Sequence, residues 1–255
     1  MRFDKSNLVI LFVIIAIITL FNGEGTIQSR ILDTLLSLPG LIVAISLHEF
    51  AHARKAVKLG DPTPKMQGRL NISPLSHLDP VGTICLLFGG FGWGRPVEIN
   101  PTNFKNPEKD GAKVAAAGPI MNFVLSIVFA VIYGLYMIFL IKTNKVTTTE
   151  AGLYFTGHNI WYVVDLVLVR AMILNLGLGL FNLLPFPPLD GSKIYRAFLR
   201  GKAREFLYNL EQYSMIIIAI LFITGIASYI ISPIINWLID CVLDPIVSFI
   251  ISFAL

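Results

Sequence analysis

Five apolar stretches, roughly 6–22, 33–55, 114–141, 160–184 and 212–231, are each long enough to cross a bilayer. A membrane-spanning helix needs about 20 predominantly apolar residues, with about 17 as the lower bound. That pattern restricts the fold more than any other feature of the chain. Only 14% of the residues are charged, against about 25% in soluble domains, so charge cannot cover the surface of a folded water-soluble body. The same apolarity excludes a disordered chain. The expected class is an all-α polytopic membrane protein, a bundle of five to six transmembrane helices in a single domain with no internal repeat.

The first stretch follows Arg2 and Lys5 but ends Leu20-Phe21-Asn22-Gly23-Glu24, without the small-residue pattern of a cleaved signal, and it reads as a retained helix. A further apolar stretch, 233–255, carries Asp240 and Asp244 and is punctuated by Pro233 and Pro245. It reads as either an interfacial segment or a sixth span. Between 81 and 101, Gly89, Gly90, Gly92 and Gly94 loosen an apolar run, and Pro96-Val97-Glu98-Ile99-Asn100 alternates in strand fashion. A small membrane-associated β element is expected there, with an edge on which an extended peptide could pair.

Basic residues set the expected orientation. The connection 54–113 holds nine Lys and Arg, segment 193–204 holds five, and Arg2 and Lys5 lie on the same side in a five-span topology. Arg30, Lys142 and Lys145 fall on the other side. The excess places the N-terminus and the ends of the second and fourth spans in the cytoplasm, in a plasma or inner membrane. Arg170 lies inside the fourth span near Asp165 and is expected to pair with it or to snorkel outward. The net charge of +4 is too loop-confined to suggest nucleic-acid binding, and Cys85 and Cys241 form neither a disulfide framework nor a metal-ligand spacing.

Chemistry concentrates at the end of the second span, His48-Glu49-Phe50-Ala51-His52. Histidines four apart share one helix face, so both imidazoles can reach one metal ion, and the adjacent glutamate is placed to take a proton from water. Two histidines and a glutamate in an apolar span are costly unless paired or liganded. The plainer alternative is a polar cluster that bonds helices together. A catalytic zinc takes three protein ligands and keeps one position open, so a third ligand is needed at the same depth. Asp190 offers itself, because Pro185-Phe186-Pro187-Pro188 breaks the helix just before it and irregular backbone at membrane depth requires a protein or water cavity around it. His77, among turn residues, and Asn122, inside the third span, are weaker candidates, for which structural hydrogen bonds are the simpler explanation.

His48-Glu49-x-x-His52 together with Asn182-Leu-Leu-Pro185-Phe-Pro-Pro-Leu189-Asp190-Gly191 resembles the site-2 protease family of intramembrane zinc metalloproteases. The similarity extends over most of residues 40–200 and includes Asn71-Ile-Ser-Pro74, Gly92-Trp93-Gly94-Arg95-Pro96 and Ala117-Gly118-Pro119-x-x-Asn122. The chain resembles the minimal branch, without a PDZ or CBS domain. The resemblance implies one zinc ion held by His48, His52 and Asp190, with Glu49 as general base and Asn182 as a donor to the oxyanion. It implies membrane-spanning or membrane-anchored protein substrates, cut in regulated intramembrane proteolysis. Di-iron desaturases need more than the four histidines present. A transporter predicts repeated halves, and an inactive scaffold leaves Glu49 without a role.

Overall fold

The computed structural model describes residues 26–83, 94–149, 152–156 and 160–253. Three long helices form its centre: α1 (Ile27–Lys58), α4 (Pro107–Lys142) and α5 (Ile160–Asn182), each packed against the other two. All three are long and apolar enough to cross a membrane. The expected span over 6–22 and the glycine-rich run 84–93 lie outside the described residues.

Local chemistry sets the helix ends. Thr26 caps α1, its Oγ1 accepting from Ser29 N at 3.2 Å, while Lys55 and Lys58 lie in the last turn, where positive charge complements the helix dipole. α4 begins with Pro107 in its first turn, where a missing N–H costs nothing, and carries Glu108 and Asp110 beside it. Gly40 allows α1 and α5 to touch backbone to backbone, since a Cβ there would lie 2.5 Å from Ala171 Cα. Small residues at such a crossing replace the hydrophobic drive that lipid removes.

Between α1 and α4 the chain forms two short helices, α2 (Thr63–Met66) and α3 (Pro74–His77), and runs without regular secondary structure from 95 to 100. Leu78 and Gly94 make one antiparallel bridge, the contact described within the region where a β element was expected. A two-stranded antiparallel hairpin lies elsewhere, β1 (Val146–Thr149) pairing with β2 (Gly152–Phe155) so that Val146 faces Phe155. It links α4 to α5 and buries Val146 against Met137 and Leu140.

After α5 come two short helices, α6 (Asp190–Phe198) and α7 (Gly201–Leu210), followed by α8 (Ser214–Ile223) and α9 (Ile226–Leu238). The apolar run at 212–231 is therefore not one helix. Gly225, at φ 68°, interrupts it in the left-handed region that glycine adopts without strain. At about 1.5 Å per residue, the ten residues of α8 fall well short of a bilayer. The membrane-crossing length belongs instead to 226–251, where α9 continues through a π turn (Ile239–Leu243) into α10 (Asp244–Ile251). The wide turn comes just before Pro245, where a regular helix would drive the proline ring into the carbonyl four residues back. Leu243 and Val247 pack with Ala130, Met172 and Leu176 in a buried cluster between α4, α5 and the C-terminal helix. The described residues thus hold four helices able to span a membrane, and the fold is an all-α polytopic membrane protein.

Asp61 ties the segment around Asn100 and Asn103 to the end of α1. Fully buried, it accepts from Thr63 N and Oγ1 (3.1 and 2.6 Å), Asn103 Nδ2 (2.7 Å) and Asn100 N (2.8 Å). Burial pushes its pKa up, but these donors outweigh it and hold the carboxyl below the usual carboxylate range. A depressed pKa contributes stability above the unfolded value of about 4, lost as pH falls through the folded value. Asp61→Asn is therefore expected to destabilise the chain by about 1–3 kcal/mol at neutral pH. Thermal unfolding in detergent will show that deficit shrinking as the pH is lowered through the acid range.

Candidate metal centre

His48 and His52 occupy the last turns of α1 and are each only 6% exposed. Their Nε2 atoms lie 3.0 Å apart, and Asp190 Oδ2 sits 3.1 Å from His48 Nε2 and 3.0 Å from His52 Nε2. Among the described residues this is the one group of three or more His, Cys, Asp or Glu side chains able to hold a metal ion together.

The far side of each imidazole decides what that triangle is. His48 Nδ1 is 2.5 Å from Asn122 Oδ1, and His52 Nδ1 is 2.7 Å from the carbonyl of Val114. The orientation of Asn122 is fixed by its own donors, since Nδ2 reaches Ala44 O and Asn175 Oδ1, both at 3.2 Å. Asn175 is held in turn by donating to Ala171 O at 2.8 Å. Both Nδ1 partners are acceptors, so both rings carry their proton on Nδ1 and present an Nε2 lone pair to the centre.

Three acceptors facing one another need a positive charge between them. One proton can bridge only one edge of the triangle, whereas a metal ion satisfies all three corners. Two ligand atoms bound to zinc at its tetrahedral angle lie about 3.3 Å apart, close to these separations. The donor set of two imidazoles and a carboxylate fits zinc.

Two glycines make the convergence possible. A Cβ at Gly118 of α4 would lie 2.4 Å from His52 Nε2 and 2.5 Å from His48 Nε2. At Gly191 a Cβ would meet the carbonyls of Leu184 and Leu183 at 2.3 and 2.4 Å. The chain leaving α5 therefore folds back upon itself through Pro185–Pro188 and delivers Asp190 as the first residue of α6.

Glu49 points from the same turn of α1 into a cavity of about 770 Å³ that also opens onto His48, His52 and Asp190. Its Oε2 accepts from Val97 N at 2.9 Å. The irregular segment 95–100 thus reaches the glutamate, and it is anchored by Arg95 N to His77 O at 2.7 Å and by Asn100 N to Asp61. Arg69, itself buried, donates to the carbonyls of Ser76 and Arg95 and joins the two strands of this connection.

The other expected residues divide. Asn182 lines the cavity, and its Nδ2 donates to Leu178 O at 3.0 Å, one turn back on α5. Asn122 buttresses His48 and does not enter the cavity. His77 is fully buried with Nε2 on Asn71 O at 2.7 Å, outside the group of three. Arg170 does not pair with Asp165. It forms an ion pair with Asp33 of α1. Residues five apart point about 140° from each other around a helix, so Asp165 faces away from Arg170. Sequence reasoning missed Asn175 and the supporting roles of Val114 O, Val97 N and Gly118. Asn175 had a signal, because an amide in the middle of an apolar span needs a partner.

Residues 37–226 match the family profile described as Peptidase family M50. The chain is 39% identical over 196 residues to "Putative zinc metalloprotease YwhC" of Bacillus subtilis (strain 168), covering 77% of this chain and 84% of that protein. It is 27% identical over 195 residues to the Rip2 protein of Mycolicibacterium smegmatis, which bears the same zinc metalloprotease description, over 74% of this chain and 67% of the relative. Rip2 of Mycobacterium tuberculosis (strain ATCC 25618 / H37Rv) is 26% identical over 206 residues, 79% of this chain and 71% of the relative. No solved structure matches the chain. With the family match running from the first half of α1 to the start of α9, the chain belongs to peptidase family M50, the site-2 protease family, and is a multi-pass membrane metalloprotease.

Proposed function

We propose that this chain is an intramembrane zinc endopeptidase that cuts membrane-spanning or membrane-anchored proteins in or near their spans, as a step in regulated intramembrane proteolysis. His48, His52 and Asp190 hold one zinc ion, and the observation that carries this assignment is the triangle of three acceptors within 3.1 Å. A bound zinc supplies Lewis acidity, polarising a carbonyl and lowering the pKa of water.

The chain's own residues do the rest. Glu49 takes the proton of the attacking water on its carboxylate and returns it to the departing amide nitrogen. The Val97 N–H holds one carboxylate oxygen, leaving the other for the proton. Asn182 has a second amide hydrogen beyond the one given to Leu178 O, and from the cavity wall it can donate to the developing oxyanion. The cavity lies where α1 and α5 end, beside the basic connections 54–113 and 193–204. Their charge supports a cytoplasmic site in a plasma or inner membrane.

Zinc content of the purified full chain tests ligand against base without a known substrate. Wild type and Glu49→Gln are expected to retain near-stoichiometric metal, while Asp190→Ala loses most of it. Equal retention in Asp190→Ala would overturn the ligand set. Against a transmembrane substrate in proteoliposomes, Glu49→Gln is expected to cut turnover by about 10²–10⁴ despite its metal.

Asn122 is expected to act through His48. Asn122→Leu, which removes the acceptor for His48 Nδ1–H, should weaken zinc affinity by about 10–100-fold in chelator competition. Asn122→Asp, which keeps an acceptor, should restore most of it.

A further inference from the structure

The face of α7 turned away from the active-site cavity is apolar, the reverse of a helix covering a water-soluble core. Gly201, Arg204, Glu205 and Tyr208 recur at i, i+3, i+4 and i+7 and line the cavity. Ala203, Phe206, Leu207 and Leu210 repeat the same spacing on the opposite side. Phe206 is 63% exposed there, and Phe198, just ahead of α7, is 79% exposed.

The basic residues of this region divide into two groups. Arg204 is paired with Glu108 at the start of α4, and Arg196 with Glu211 at 3.3 Å while lying over the Tyr208 ring. Arg200 and Lys202 enter no ion pair among the described residues, and both are exposed. Lys202 stands four residues before Phe206, one turn away at the edge of the apolar face. Along the chain the membrane-length helix α5 and then α6 precede it, and the apolar α8 follows it. α7 thus lies between a membrane-length helix and an apolar one in the chain. An exposed aromatic and aliphatic face flanked by unpaired lysine and arginine complements one surface, the acyl boundary of a leaflet with its phosphates above.

We propose that α7, with Phe198 and Arg200 ahead of it, is an interfacial element that binds anionic phospholipid headgroups. Phe206 and its neighbours sit in the acyl boundary, Arg200 and Lys202 reach lipid phosphates, and the polar face walls the cavity off from lipid. The anionic leaflet then acts directly on the helix that follows α6, the helix that Asp190 begins. This inference stands apart from the metal and catalytic assignments and does not require them.

The test is hydrogen–deuterium exchange of the backbone over 199–211, in the full chain reconstituted in nanodiscs of phosphatidylcholine alone or with phosphatidylglycerol. Exchange is expected to slow about tenfold or more in the anionic discs, roughly fivefold for each basic contact, and to return at high salt. Arg200→Gln/Lys202→Gln is expected to remove the phosphatidylglycerol dependence and leave exchange in neutral discs unchanged. Phe206→Ser is expected to speed exchange in both. Equal exchange of the wild type in the two discs would overturn the proposal, as would phosphatidylglycerol-dependent slowing that survives in the double variant. Slowing by polyglutamate in neutral discs, without any effect of phosphatidylglycerol, would also overturn it and point to an acidic protein instead.

Discussion

Two hydrogen bonds on the outer sides of two imidazoles determine the character of this molecule. Because His48 Nδ1 faces Asn122 Oδ1 and His52 Nδ1 faces the Val114 carbonyl, both Nε2 atoms turn lone pairs toward Asp190. Had either partner been a donor, the ring would have carried its proton inward and the cluster could have satisfied itself with hydrogen bonds. As built, the polar groups at the end of α1 are mutually repulsive until a cation joins them. A cluster that only held helices together would not need that arrangement.

The supporting helices follow from the same demand. Val114 and Asn122 both belong to α4, and they can reach the two rings only if α4 crosses α1 closely, which the missing side chain of Gly118 permits. Asn175 and Ala171 bring α5 into the same network, and Ala171 is the residue against which Gly40 packs. One chain of contacts thus runs from a helix crossing to the orientation of a ring. In lipid, where no water competes for Asn122 or Asn175, each amide must find its partners within the protein, so the network also fixes how the three helices sit.

His48, Glu49, His52 and Asp190 were legible in the sequence because their signals are local: a one-turn spacing in an apolar helix, and a carboxylate just past a proline-broken span. The structure brings the side chains of His48, His52 and Asp190 within reach of one another. What hydropathy could not show was where the C-terminal apolar residues divide. Averaged over a window, 212–231 looks continuous, yet Gly225 takes a left-handed conformation that no hydropathy scale registers. The partner of Arg170 was missed for a related reason, since nearness along the chain is not nearness around a helix. Asp33 is 137 residues away in sequence and pairs with it across the α1–α5 contact. The support given by Val114 O and Val97 N was hidden because main-chain groups carry no residue-type signal.

Glu49 shows how the connection between α1 and α4 enters the chemistry. A carboxylate one residue after His48 points about 100° around the helix from it, and nothing in α1 itself fixes where its oxygens end up. The Val97 N–H supplies that constraint, and the position of Val97 depends on Asn100 bound to Asp61 and on Arg95 bound to the His77 carbonyl. The buried polar residues of this connection, Asp61, Arg69 and His77, therefore explain one another as parts of a rigid frame outside the spans. Proton transfer needs a base held within hydrogen-bond reach of the water it activates. The segment 95–100 bonded to the helix end gives the Glu49 carboxylate such a hold, and it forms part of the wall of the cavity.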